Sequence, residues 1–139
     1  MNTSEVFQIV NTAVLPAWII LLIAPKKKWR NPCIYGFAAV IASIYAFYVL
    51  TGLNNFDPAA FGSLAGVKKL FTNDEAVLAG WVHYLVFDLL IGNWIVNESV
   101  KHGIKHYLII PCLFLSFMFG PVGYLLFTII KISKVKTIA

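Results

Sequence analysis

Residues 80–99, GWVHYLVFDLLIGNWIVNES, decide how the rest of the chain is read. The run is long and apolar enough to cross a bilayer, whose hydrocarbon core takes about 20 residues of helix. Yet Asp88 falls near its middle, and His83 lies about a turn and a half earlier. Trp81 and Trp94 flank the pair, and Asn93, Asn97 and Glu98 follow. An aspartate at the centre of a membrane helix costs on the order of 2.5–3.5 kcal/mol on insertion scales. Such residues are rare, turn inward and mark function by default.

Composition sets the class. The 139 residues are 60% hydrophobic and 12% charged, with a mean hydropathy of +0.80. A soluble domain of that size cannot hide so much apolar surface. The expected fold is therefore an all-α membrane protein, one domain with four transmembrane helices. The net charge of +5 comes from 11 Lys and Arg that fall at helix ends and in loops. That pattern fits lipid headgroups and excludes a nucleic-acid surface. Cys33 and Cys112 lie far apart in apolar segments and read as packing residues. The chain has no glycine-rich phosphate loop and no zinc or Cys-x-x-Cys signature, so neither a metal nor a cofactor is called for. Of His83, His102 and His106 only His83 lies at membrane depth, which is weak ground for haem.

Outward from that run, the chain divides cleanly. The first five residues lack a basic n-region, and the apolar stretch after them is too long for a signal peptide, so residues 6–24 are expected to stay as a first helix. Pro16 frees the carbonyl of Thr12 and, with Asn11, makes a polar patch at depth. Pro25 and a basic run lead to Asn31-Pro32 and a second helix, residues 33–53, with Gly36, Ala39, Ser43 and Ala46 on one stripe. Asp57-Pro58 starts a short interfacial helix, about 58–71, in which Ala60, Leu64, Val67 and Phe71 oppose Lys68 and Lys69. Capping-box spacing from Thr72 to Glu75 opens the third helix, about 76–97. Gly103 closes the turn before a fourth, about 107–130. At its centre Phe119-Gly120-Pro121-Val122-Gly123 reads as a kink, and Ser116, Gly120 and Gly123 share a face that a helix or flat ligand can approach. Lys131, Lys134 and Lys136 close the chain. Four crossings put both termini on one side, with six Lys/Arg on one face of the membrane and five on the other, counted from the sequence. Sidedness is then almost balanced.

Trp81, His83, Leu85, Asp88 and Leu89 in the third helix, and Phe119, Gly120, Pro121, Val122, Gly123 and Leu125 in the fourth, resemble the ABA4-like family of membrane proteins. Asn11, Leu15, Pro16 and Trp18, running into Ala24-Pro25, are similar as well, so the likeness covers nearly the whole chain in order. The family's plant members are required in chloroplasts for forming neoxanthin from violaxanthin, an epoxide-to-allene isomerisation. The resemblance implies a carotenoid-related role and marks His83 and Asp88 as motif positions. The compact sequence, without an obvious transit peptide, points to a bacterial member in the inner membrane.

Burial raises the pKa of a carboxyl and lowers that of an imidazole, which would leave one acid and one base for cofactor-free isomerisation. Asp88 as acid and His83 as base are therefore the catalytic candidates. They lie about 140° apart around a helix, so the expectation needs both to border a shared interior cavity. Asn11, Trp18, Trp81, Asn93, Trp94, Phe119 and Gly120 are the candidates to line it, with a polyene or other isoprenoid as ligand. Membrane lipid surrounds the protein, and a homo-oligomer or a partner membrane enzyme completes the list of candidate partners. The competing expectation is a non-catalytic binder of a carotenoid or lipid, or an assembly factor for a membrane enzyme.

Overall fold

The computed structural model describes residues 2–55 and 57–135; Lys136 lies outside them. Helices α1 (Thr3–Ile23) and α2 (Arg30–Gly52) are followed by 3-10 turns at Leu53–Asn55 and Pro58–Gly62 and a short helix α3 (Leu64–Leu70). The long helix α4 (Asp74–Lys101) comes next, then α5 (His106–Phe119) and α6 (Pro121–Val135). Among the described residues three helices, α1, α2 and α4, are long and apolar enough to cross a membrane.

Local chemistry explains where these helices start. Asn2 accepts from the amide of Glu5, whose carboxylate accepts in turn from the amide of Asn2, closing a capping box at the head of α1. Asn73, not Thr72, caps α4, accepting from the amides of Glu75 and Ala76. Gly103, at φ +65°, makes the left-handed turn expected before α5. The expected interfacial helix is two pieces instead of one. Ser63 ends the 3-10 turn and caps α3 with its hydroxyl on the amide of Gly66. Gly66 then sits so close to the backbone of Ala60 that any side chain there would collide with it.

The three long helices pack side by side around Val10, Val14, Leu21, Ile34, Val82 and Leu89, all buried. Contacts fix their directions. Asn11 meets Trp81 and Trp18 meets Gly92, so α1 runs parallel to α4. Arg30 meets Asn93 while Tyr45 meets His83, so α2 runs antiparallel to α4. Gly92 is small for a reason: a Cβ there would stand 2.8 Å from the Trp18 ring. The indole thus lies directly on the α4 backbone.

The fourth crossing differs from the expectation. The helix stops at Phe119, Gly120 turns with φ +43°, and Pro121 begins α6. Gly123 then lies against the backbone of Cys112 and Ser116, so tightly that a Cβ would overlap both. In a continuous helix residues 112 and 123 would be about 16 Å apart at 1.5 Å per residue. The segment has folded back on itself. Trp94 stacks near Tyr124 and Phe127, and Glu98 pairs with Lys131, so α6 climbs α4 toward the end from which α5 descended. With 14 and 15 residues, each arm reaches only about 21–23 Å, short of a hydrocarbon core of about 30 Å. The physical reason is the pairing of a left-handed glycine with proline at a first helical position, which allows reversal where proline alone would only bend. The result is three helices long and apolar enough to cross a membrane and a folded-back helical hairpin, and Thr3 and Val135 lie toward opposite ends of α4.

Candidate functional site

The hairpin tip meets α4 at Asp88. Gly120 is pressed so close that a Cβ on it would stand 2.5 Å from Asp88 Oδ1. Asp88 is only 7% exposed, and its Oδ2 is buried with no hydrogen-bond partner among the described residues. The Tyr84 side chain, one turn earlier on α4, neighbours the same carboxyl. Its hydroxyl donates to the carbonyl of Met118 at 2.9 Å, one of the carbonyls that α5 leaves unpaired where it ends. Ser116 Oγ, on α5 just before the tip, is also buried without a partner. A buried polar atom left unpaired costs about 1–3 kcal/mol, and such atoms call for an explanation in function or in a bound group.

Aromatic residues complete the site. Trp18 is buried and meets Phe117 edge to face at 5.4 Å. Trp81 donates from Nε1 to Asn11 Oδ1 at 2.8 Å and lies 5.5 Å from the Tyr84 ring. Asn11, Trp18, Trp81, Asp88 and Gly120 therefore gather along one side of α4. Phe119 does not join them; it is 58% exposed and turns outward.

His83 stands elsewhere. Its ring is exposed on the perimeter between α2 and α4, 5.4 Å from Tyr45 and 4.7 Å from Phe87. The cleft it borders, with Ala42, Tyr45, Val86 and Phe87, holds only about 70 Å³ and does not include Asp88. The two residues therefore do not line this cleft together. The reason is the helical offset already noted: Asp88 looks toward the hairpin and His83 toward α2.

Asn93 and Trp94 belong to a second polar centre, whose main members escaped the reading of the sequence. Arg30, the first residue of α2, is 3% exposed. Its Nε donates to Asn93 Oδ1 at 3.3 Å and its Nη2 to Asn31 Oδ1 at 3.1 Å. The guanidinium also donates to Asn97 Oδ1 and to the carbonyl of Pro25. One turn on, Lys131, 2% exposed, donates to Glu98 Oε2 at 2.6 Å and lies over the Trp94 ring at 5.8 Å. Lys101 and His102 reach the same carboxylate. The available signal was the spacing of Asn93 and Asn97, four apart on one helical face, which suits the fork of an arginine.

Comparison with known proteins supplies the family. A model of the ABA4-like family, described as ABA DEFICIENT 4-like, matches residues 5–127. The chain belongs to the ABA DEFICIENT 4-like family. Within that family it is similar to the chloroplastic protein ABA DEFICIENT 4 of Arabidopsis thaliana, 28% identical over 131 residues. The alignment covers 86% of this chain and 57% of the relative, so the chain spans less than two thirds of that protein's length. The relative's chloroplastic name lends no support to a bacterial inner membrane; the apolar helices support membrane association itself. No solved structure matches the chain.

Proposed function

We propose that this ABA DEFICIENT 4-like chain holds a carotenoid or related isoprenoid against the hairpin tip, with Asp88 hydrogen-bonding or protonating an oxygen of the ligand. The observation that carries the reading is the unpartnered Asp88 Oδ2, buried in midspan beside Tyr84, Trp18 and Gly120. A carboxyl in such surroundings serves as a donor when neutral. For an epoxide ligand it would protonate the ring oxygen as the C–O bond opens, and the carboxylate so formed would take the carbon-bound proton that is lost, returning Asp88 to its neutral form. His83 is too far around the helix to take that proton, and the Tyr84 hydroxyl is a donor, held on the carbonyl of Met118. Expression in a carotenoid-producing bacterial host tests this. The wild-type chain is expected to alter the extracted pigment profile and Asp88→Asn to restore the host's own. An unaltered profile with well-expressed wild-type protein removes the enzymatic reading.

One observation favours a second reading. The acid and the base expected from the sequence face different neighbours, which suits a protein that binds a pigment or lipid for a partner enzyme without converting it. That reading expects an apolar ligand to copurify in stoichiometric amount and unchanged. An absorption spectrum and solvent extract of gently purified protein decide between them.

A further inference from the structure

The folded-back hairpin redistributes the charge of the molecule. Among the described residues Lys26, Lys27, Lys28, Arg30, Lys101, Lys105, Lys131 and Lys134 all gather at the end where α1 stops and α5 starts. Glu98 is the single acid there, and it is already paired with Lys131. The opposite end carries Lys68 and Lys69 against Glu5, Asp57, Asp74 and Glu75. At the basic end a cavity of about 350 Å³ opens between the turn joining α1 to α2 and the turn joining α4 to α5. Lys26, Lys105, His106 and Tyr107 line it beside Pro25 and Ser99, and no acidic residue does. His106 is held in place by its Nε2, which donates to the carbonyl of Leu22 at 2.7 Å. Its Nδ1 is buried with no hydrogen-bond partner among the described residues.

Depth, charge and size agree on an occupant. The cavity sits at the ends of the spans, where headgroups lie. At about 30 Å³ of liquid per water it has room for roughly ten waters, enough for a hydrated phosphate. We propose that it seats the phosphate of an anionic membrane lipid, with Lys26 and Lys105 as the counter-charges. The same asymmetry directs this end toward the compartment that retains Lys and Arg. The inference does not rest on the Asp88 reading, and either stands if the other falls.

The full chain in phosphatidylcholine nanodiscs doped with phosphatidylglycerol is the test system, with native mass spectrometry counting the retained lipids. Wild-type protein is expected to retain phosphatidylglycerol over phosphatidylcholine. Each lysine near an anionic surface strengthens attachment about fivefold, so the Lys26→Ala/Lys105→Ala variant should lose about tenfold or more of that preference. Both side chains are exposed, and the single variant Lys105→Glu is expected to move the preference the same way. Lys68→Ala/Lys69→Ala, at the opposite end, should leave it unchanged. The proposal is overturned if the Lys26/Lys105 variants keep the wild-type preference, or if the Lys68/Lys69 variant loses as much. It is also overturned if inorganic phosphate at millimolar concentration binds as well and strips the lipid.

Discussion

The two polar centres along α4 are built on opposite terms. At the basic end Arg30 spreads its donors over Asn93, Asn97, Asn31 and the carbonyl of Pro25, and Glu98 is met by Lys131, Lys101 and His102, although His102 Nε2, 3.3 Å away, makes no hydrogen bond among the described residues. In midspan Asp88 has one oxygen against Gly120 and the other unpaired. A satisfied network rigidifies what it joins, and an unsatisfied one waits for a group or tolerates a cost. The first centre ties α2 and α6 to α4. The second is the place where chemistry or a ligand can enter.

Substitutions can break or sharpen this contrast. The largest effect is expected at Arg30: Arg30→Ala strips four neutral acceptors of their charged donor and should cost about 4 kcal/mol of stability, as leaving several acceptors unpaired does. Arg30→Lys, without the fork, should recover only part of it. Unfolding in a graded detergent series reads both, and a small loss for Arg30→Ala would mean that the network holds nothing together. Next comes Gly120→Ala, which meets both the positive φ and the Asp88 carboxylate, for about 3 kcal/mol. In an Asp88→Ala background the steric share should vanish and the backbone share persist, so the double-mutant cycle measures how hard the tip presses on α4.

Asp88→Asn is the sharpest discriminator, because it keeps the shape of the side chain. Stability should change by less than about 1 kcal/mol while the pigment phenotype is lost. A stability loss as large as that of Arg30→Ala would make Asp88 a second structural centre and erase the contrast. The smallest effect belongs to His83. His83→Phe, on the exposed perimeter, should alter stability by no more than about 0.5 kcal/mol and leave the pigment profile as in wild type.

Much of this was readable from residue order, and the failures have one cause. The three long helices, the cap region before α4, the Gly103 turn and the singular position of Asp88 follow from local pattern alone. Hydropathy reports that residues 107–130 lie at membrane depth; it carries no information on direction. Phe119-Gly120-Pro121 is compatible with a bend and with a reversal, and only contacts between elements, such as Gly123 on Cys112 and Lys131 with Glu98, separate them. Arg30 and Lys131 were hidden for a related reason. In a stretch such as KKKWR every cation resembles a headgroup anchor, and burial depends on which asparagines and carboxylates the neighbouring helices bring. His83 and Asp88 look alike in sequence, yet one helical offset sends them to different neighbours.

The short arms of the hairpin bear on the order of assembly. Neither α5 nor α6 can stand alone across a bilayer, so neither can be an independent first-stage unit of the kind that inserts and only later associates. Their burial has to wait until α4 offers Trp94 and Glu98 as a surface to dock on. A chain cut after Lys101 should therefore insert normally and lack only its final docking step, whereas the last third, made by itself, should fail to integrate.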